Sequence, residues 1–411
     1  MAGSGDSVKV VARPERSFFG EGCYTRSVDS PSTAPKPGSE KFLVVVSDCH
    51  LSAGRLFERQ LNPHEDFHFD EEMIDLFDHF STGQYGEGPA GPVQVELVLA
   101  GDYLDFLNVP INGEFEEPIT EEMALTKLEA ILKGHAGVFE AIRTFAAKPG
   151  KHVTYLIGNH DADLFFPKVQ ERITRAWDPE GRFPSPCVEV VADRDRLKFD
   201  GGVEIRHGNQ FEASSLLNFD KPVLHPFMYP PVLNIPWSSI YVLKIINRLK
   251  WEREYVDKVR PAKAFVLFGL VLDPWFTLKF VFLSMFYFFK TRFIWSPMRR
   301  ARFGVTMDIL KQETKVFLDL EREARQLLEE RDDLQTVIFG HTHKPMNKVY
   351  PDGKQYINTG TWTKMINLDW RGLGQQVRRT FAYVHIRDGK AHCELRQWVG
   401  EHSPHTLFDG A

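Results

Sequence analysis

Cysteine is scarce, with four in 411 residues, at positions 23, 49, 187 and 393. Their spacing matches neither a metal finger nor a disulfide framework, which favours a reducing, cytoplasmic compartment. The opening residues lack a basic stretch followed by an apolar core, so no secretory signal is expected. Net positive charge is lacking too. A formal charge of −6 gives no general attraction to nucleic acid, and no specific nucleic-acid partner is expected. The apolar runs Ala264–Leu272 and Phe280–Phe289 hold nine and ten residues. Both fall well short of the roughly 20 that a membrane-spanning helix needs. No internal period marks a repeat architecture.

What remains is a globular composition, 43% hydrophobic and 26% charged, in a chain long enough to bury a large core. Five short Val-, Leu-, Ile- or aromatic-rich runs read as buried strands: Phe42–Ser47, Gln94–Ala100, His152–Ile157, Gly202–Arg206 and Thr336–Phe339. A helical pattern covers Thr120–Ala147, and further strands are expected at Tyr356–Thr359, Arg378–Arg387 and Lys390–Val399. Asp388-Gly389 supplies a hairpin turn between the last two. Strands alternating with helices indicate an α/β layer architecture. Residues 1–40, rich in Gly, Ser and Pro, read as a flexible tail with at most a short strand at Ser7–Ala12, and residues 403–411 as a second tail.

A polar motif follows each of the five strand-like runs. In order these are Asp48-Cys49-His50, Gly101-Asp102-Tyr103-Leu104-Asp105, Gly158-Asn159-His160-Asp161, His207-Gly208-Asn209 and Gly340-His341-Thr342-His343. Strand alternation puts Asp48 and His50 on one face with Cys49 opposite, and likewise His341 and His343 with Thr342 opposite. Cys49 then reads as a buried, inert thiol. Carboxylates can bridge two cations while imidazole and amide oxygen complete the shell, a donor mixture that suits Mn, Fe or Zn. Asp105 is offset from Asp102 and is expected to support a metal ligand from behind. Asn209 and Gln210 read equally as turn residues or as contacts to phosphate, whereas Asn358 and Thr361 read by default as strand-end packing, with a place near the metals as the alternative.

In these motifs the sequence resembles the calcineurin-like metallophosphoesterase superfamily, over residues 42–208 and 336–362. The resemblance implies a β-sandwich flanked by helices on both faces and a site holding two divalent metal ions. Asp48, His50 and His343 resemble the ligands of one metal, Asn159, His207 and His341 those of the other, and Asp102 the bridge. His160 resembles the catalytic histidine, and Asp161 the acid that orients or tunes it. The implied reaction is hydrolysis of a phosphoester or pyrophosphate bond by metal-activated hydroxide. The chain is also distantly similar to UDP-2,3-diacylglucosamine pyrophosphatase-type enzymes, which carry Arg where this sequence has His160. Two rival readings stay open: a soluble nucleotide or cyclic-nucleotide phosphodiesterase or nuclease, and a non-catalytic scaffold of the same fold.

The expected core, 41–210 and 336–402, is interrupted by a large helical insertion, 211–335. It holds a Pro- and aromatic-rich loop, a basic helix over Ile240–Val259, the Phe-rich segment Ala264–Phe289 and a charged helix over Val305–Asp332. Between Lys244 and Arg302 thirteen Lys/Arg face four acids, in a chain that is negative overall. The Phe-rich segment reads as a buried helix pair, as an element lying on an anionic membrane surface, or as a dimer interface. Long insertions between core strands usually carry specificity. The substrate is therefore expected to be a phosphorylated small molecule or an anionic lipid-linked phosphate, met at the inner face of a membrane. The oligomeric state is left open.

Overall fold

In a computed structural model, residues 40–57, 60–89, 91–225, 230–260, 262–290, 320–368, 373–400 and 405–407 are described. The expected strand at Ser7–Ala12, nearly all of the N-terminal tail and the first part of the charged helix (305–319) lie outside them. Two large sheets organise the rest. The first has seven strands, in the spatial order His405–Leu407, Lys390–Trp398, Thr380–Arg387, Glu40–Val46, Gln94–Ala100, Lys151–Leu156 and Val188–Val191. The second has five: Met346–Val349, Gln355–Asn358, Thr336–Phe339, Val203–Ile205 and Leu197–Phe199. The architecture is mixed α/β, and its five motif-bearing strands lie where the sequence predicts them to within a residue or two. His405–Leu407 corrects the expected C-terminal tail, because it adds an edge strand by pairing with Arg396–Trp398.

Glu40–Val46 runs parallel to Gln94–Ala100, which runs parallel to Lys151–Leu156. Val203–Ile205 and Thr336–Phe339 are parallel in the other sheet. Parallel strands bury both faces, so each reads as a continuous apolar run rather than an alternating one. Their residues divide by parity. Leu43, Val45, Val98, Ala100 and Leu156 join Val203, Ile205, Ile338 and Ile357 of the second sheet in one apolar cluster. Val44, Val46, Leu97, Leu99, Val153 and Tyr155 face the opposite way, onto the helices Asp70–His79, Ala136–Ala147 and Pro167–Trp177. On the outer face of the second sheet, Leu320, Ala324 and Leu328 of the Leu320–Glu330 helix pack on Val337, Phe339 and Tyr356. Each such side chain contributes about 1.5–3 kcal/mol on burial.

The single helix expected over Thr120–Ala147 is two, Glu121–Gly134 and Ala136–Ala147. The break at His135 is made by tertiary contacts. Its ring donates to Asp70 (2.7 Å) and Glu65 (3.2 Å). Gly134 lies so close to the Ala53–Gly54 backbone that a Cβ there would stand 2.5 Å from a carbonyl.

One compact unit, Pro37–Ala411, holds the core and the inserted region together. The expected Ile240–Val259 helix instead spans Trp237 to Lys250, with a wide π turn at Val242–Ile246. It stops where the buried Lys250 ammonium is gripped by Asp66 and Asp257, each at 2.7 Å. Val259–Arg260 then pairs with Ile366–Asn367 as a short strand. The Phe-rich segment forms two helices, Ala262–Leu272 and Pro274–Phe289, divided at Asp273-Pro274. Proline suits the first helical position and no interior one. Phe276 and Tyr287 are buried on Ile245, Ile246, Leu249 and Val256. Among the described residues the other face is exposed: Val271, Leu272 and Trp275 are 78, 81 and 82% exposed, with Leu267, Phe282 and Met285 also exposed. The buried-pair reading thus holds for one face only. Among the described residues no helix is long and apolar enough to cross a membrane.

Candidate metal centre

All five motifs begin within three residues of a strand's carboxyl end. Asp48 follows Val46, Asp102 follows Ala100, Asn159 follows Leu156, His207 follows Ile205 and His341 follows Phe339. Parallel neighbours deliver their carboxyl ends to one edge, the usual place for sites in α/β folds. The paired motifs do not continue their strands, however. Asp48 and His50 have φ of 51° and 56°, His341 and His343 have 68° and 58°, and Asp102 has 49°. Left-handed backbone at both flanks of Cys49 and Thr342, rather than strand pleating, turns the paired side chains the same way. Each such residue costs about 1–3 kcal/mol, a cost that concentrates at functional sites.

Hydrogen bonds hold these turns. The His50 N–H donates to Asp102 O (3.0 Å), and the His160 N–H to Asp102 Oδ1 (2.8 Å). The His341 N–H donates to Asp48 Oδ2 (2.9 Å), and Thr361 Oγ1 to Asp48 O (2.6 Å). Asn358 Nδ2 donates to Gly340 O (2.7 Å). Two glycines are needed for contact rather than for turning. A Cβ at Gly158 would strike the Asp102 carboxylate, and one at Gly340 that of Asp48.

Among the described residues three clusters of ligand-type atoms result: Asp48, His50 and His343; Asp102, His207 and His341; and, overlapping both, His50, Asp102 and His160. In each, the atoms lie within 4.8 Å of one another. The first two correspond to the sets expected from the sequence, apart from Asn159. His50 Nε2 is 3.0 Å from His343 Nε2, and His207 Nε2 is 3.1 Å from Asp102 Oδ2. That second approach has no hydrogen-bond alignment, and His207 Nε2 and Asn159 Oδ1 are both buried without a partner. A buried orphan acceptor costs about 1–3 kcal/mol. Convergent lone pairs on carboxylate, imidazole and amide are what divalent cations would satisfy, so the residues fit the group that the sequence implies.

One ring nitrogen of most ligands is already committed. His50 Nδ1 donates to Asp105 Oδ2 (3.0 Å) and His207 Nδ1 to Ala100 O (3.0 Å), leaving Nε2 of each to face the cluster. His341 is the reverse: its Nε2 donates to Glu212 Oε2 (2.6 Å), leaving Nδ1. Ser214 and Ser215 hydroxyls brace that carboxylate, each at 3.0 Å. Nothing in the sequence signals Glu212, which lies outside every motif.

His160 Nδ1 also donates to Asp105 Oδ2, at 3.0 Å, and Asn108 Nδ2 donates to the same oxygen at 2.9 Å. Asp161, expected to orient or tune His160, accepts from Tyr155 Oη (2.7 Å) and the Gly158 N–H (2.5 Å) and so does not orient the ring. It shapes the loop and acts on His160 only through its charge. The orienting acid is Asp105.

Electrostatics separates the groups. Burial opposes protonation of His160, yet the Asp105 and Asp102 carboxylates push it up to about 10. Burial likewise opposes His207, and Asp102 pushes it up to about 9. Burial dominates at His343 and brings it down to about 4, against the pull of Asp48. Asp102 and Asp105 resist burial and are held well below the carboxylate range by neighbouring histidines. Burial and the Asp102 charge raise Asp161. Without cations, two histidines, His160 and His207, are therefore favoured in their charged form beside a neutral His343.

The bland readings hold elsewhere. Cys49 is fully buried, and burial drives its thiol well above the usual range. Asn209 Nδ2 donates to Ser215 O (2.9 Å), and Gln210 Oε1 accepts from the Gly208 N–H (2.9 Å), both within the turn.

No family model and no curated protein matches the chain. Among solved structures, it is similar to zinc-complexed Vps29 from Entamoeba histolytica, at 26% identity over 19% of this chain and 41% of that one, with a TM-score of 0.15. Vps29 from Cryptosporidium parvum is 12% identical over 91% of this chain and 97% of that one, at 0.30. A putative 5′-nucleotidase from Staphylococcus aureus is 14% identical over 90% of this chain and 56% of that one, at 0.33. Likenesses this faint carry no argument about function, which rests on the site itself.

Proposed function

We propose that the chain is a metallophosphoesterase of the calcineurin-like type, with the β-sandwich core of that superfamily, and that it hydrolyses a phosphoester or pyrophosphate bond. The observation that supports this reading is Asp102, which stands in the His207/His341 cluster and also clusters with His50, a member of the Asp48/His343 set. Asp48, His50, Asp102 and His343 would hold one cation and Asp102, Asn159, His207 and His341 the other. Two divalent cations, Mn, Fe or Zn, would supply Lewis acidity toward the phosphoryl oxygens and an attacking water.

The protein's own part centres on His160. With Nδ1 bonded to Asp105, Nε2 is the ring nitrogen left to carry a proton to the leaving-group oxygen. General-acid help of this kind supplies about 10²–10⁴-fold. Asp105 does double duty, fixing His160 as donor and turning His50 Nε2 toward the first cluster.

The substrate in this reading is an anionic lipid-linked phosphate, reached at the cytoplasmic surface of a membrane. The bare apolar face of the Ala262–Phe289 helix pair supports it, as does the chain from Pro274 to Met307, where six Lys/Arg meet no acid. Chelated protein should regain two ions per chain from Mn²⁺ or Zn²⁺ and, with them, cleavage of an aryl phosphodiester or monoester. Uptake of no ion, or equal turnover without metal, would discard the enzyme reading. Failure to float with anionic vesicles would discard the membrane part alone.

A further inference from the structure

The helix Glu121–Gly134 turns Ala124, Leu128 and Ile131 inward, and Lys127 lies on that same stripe, 1% exposed. A buried ammonium is costly unless an opposite charge meets it. Asp163 is that charge. It sits in the short turn Ala162–Phe165, three residues after His160, and is fully buried. Burial opposes both ions, lowering the Lys127 ammonium and lifting the Asp163 carboxyl to about 6, and each is the other's strongest counter-charge. No direct ion pair closes between them, however. Lys127 Nζ and both Asp163 carboxylate oxygens are buried with no hydrogen-bond partner in another described residue.

The next charge that acts on Lys127 is Asp105. The Asp105 loop and the Asp163 turn run side by side, joined by the Phe106 N–H donating to the His160 carbonyl (3.3 Å). Within that loop Asn108 grips Asp105 twice. Its N–H donates to Oδ1 (3.1 Å) and its Nδ2 to Oδ2 (2.9 Å), the oxygen that also serves His160 and His50. The far end of the same amide, Asn108 Oδ1, is a further buried acceptor without a partner among the described residues.

Chemistry matches these groups. An ammonium only donates, and an amide oxygen only accepts. A lysine that donates to Oδ1 leaves the amide a single way to face Asp105, with its NH₂ toward the carboxylate. Where such groups stand too far apart for direct contact, an internal water carries the bond, and it needs two to four polar partners of the kind gathered here.

We infer that Lys127 is a positioning residue. With Asp163 as counter-ion, its ammonium donates through an internal water to Asn108 Oδ1 and so fixes the amide that sets the Asp105 oxygen on which His160 and His50 both depend. The consequence for proton donation rests on the phosphoesterase reading; the chain of contacts from Lys127 to the two rings does not. A core helix thereby acts on the reaction without touching substrate.

The test compares the full chain with Lys127→Met and with the double variant Lys127→Met/Asp163→Asn. The double variant also neutralises the carboxylate that the single one strands, so it keeps the experiment open if the single variant folds poorly. An acid that is badly aimed matters most when the leaving oxygen needs its proton. With metal loaded, turnover of a phenyl ester should therefore fall by about tenfold in the double variant, and that of the 4-nitrophenyl ester by no more than about twofold. Affinity for the first cation should weaken, through His50, while that for the second stays. Long-range proton–nitrogen spectra of the histidine rings give a reading that needs neither metal nor turnover. The His160 Nδ1 proton, assigned by its loss in His160→Ala, should exchange with water faster in the double variant. Equal losses on both esters, or equal weakening of both cations, would mean general loosening and overturn the assignment. So would an Nδ1 signal that the double variant leaves unchanged. A wild-type chain that cleaves neither ester would end the phosphoesterase reading, while the Nδ1 signal still decides Lys127.

Discussion

Glu212 accepts a hydrogen bond from His341 Nε2 at 2.6 Å, and so decides which nitrogen of that ring faces the second ligand set. The other ligand rings with a fixed tautomer, His50 and His207, are held through Nδ1 and present Nε2. Removing the acceptor frees His341 to rotate or to carry its proton on the wrong nitrogen. Glu212→Ala should therefore weaken binding of the second cation by about 10–100-fold while leaving the first nearly unchanged. Equilibrium titration with Mn²⁺ or Co²⁺, read as two separate binding events, checks this. Two unchanged affinities would reduce Glu212 to a surface residue.

His160 and Asp105 should separate by what they lose. His160→Ala removes the proton donor, so turnover of an aryl phosphodiester should fall by about 10²–10⁴-fold at full metal content. Asp105→Ala releases both His160 and His50, because a single carboxylate oxygen serves both rings. It should lower turnover and affinity for the first cation together. Elemental analysis beside steady-state kinetics distinguishes the two patterns, and equal loss of metal in His160→Ala would sink the acid role.

The five strands were legible because parallel, doubly buried strands must be apolar along their whole length, and the motif residues were legible because polar ligands must end such runs. What the sequence concealed was set by contacts distant along the chain. Pleating was a sound basis for pairing Asp48 with His50, but left-handed turns produce the pairing, and they are held by Asp102 O and by Thr361. The break at His135 depends on Glu65 and Asp70, and Glu212 meets His341 from 129 positions away. Asp161 sat beside His160 in sequence, yet Asp105, 55 positions off, holds the ring. Periodicity carries no record of such pairs.

His135 should make stability fall in alkali. Burial disfavours its charge, but Asp70 and Glu65 push it up to about 9, above the 6.5 of an unperturbed histidine. A raised folded-state value means that the stabilisation is complete below about pH 6.5 and disappears as pH rises through about 9. The loss should be on the order of 2–3 kcal/mol. Urea midpoints measured between pH 6 and pH 10 should show it, and His135→Gln should flatten that part of the curve. A parallel decline in the variant would assign the effect to other groups.

The bare face of the helix pair can be tested without touching the fold. Val271, Leu272 and Trp275 are about four-fifths exposed and cluster at the Asp273-Pro274 turn, while the residues that anchor the pair, Phe276 and Tyr287, point inward. Apolar side chains left in water contribute nothing to folding that a charged residue would remove. Leu272→Glu with Trp275→Glu should therefore leave the melting temperature within a degree or two. Transfer of the same side chains into a lipid interface is favourable by about 1.5–3 kcal/mol each, so the double variant should lose at least tenfold in affinity for anionic vesicles. Co-sedimentation with phosphatidylglycerol vesicles at low and high salt reads both the apolar and the electrostatic contribution. A melting temperature that falls with the substitutions would instead place this face against another part of the protein or a second copy, and the membrane assignment would go with it.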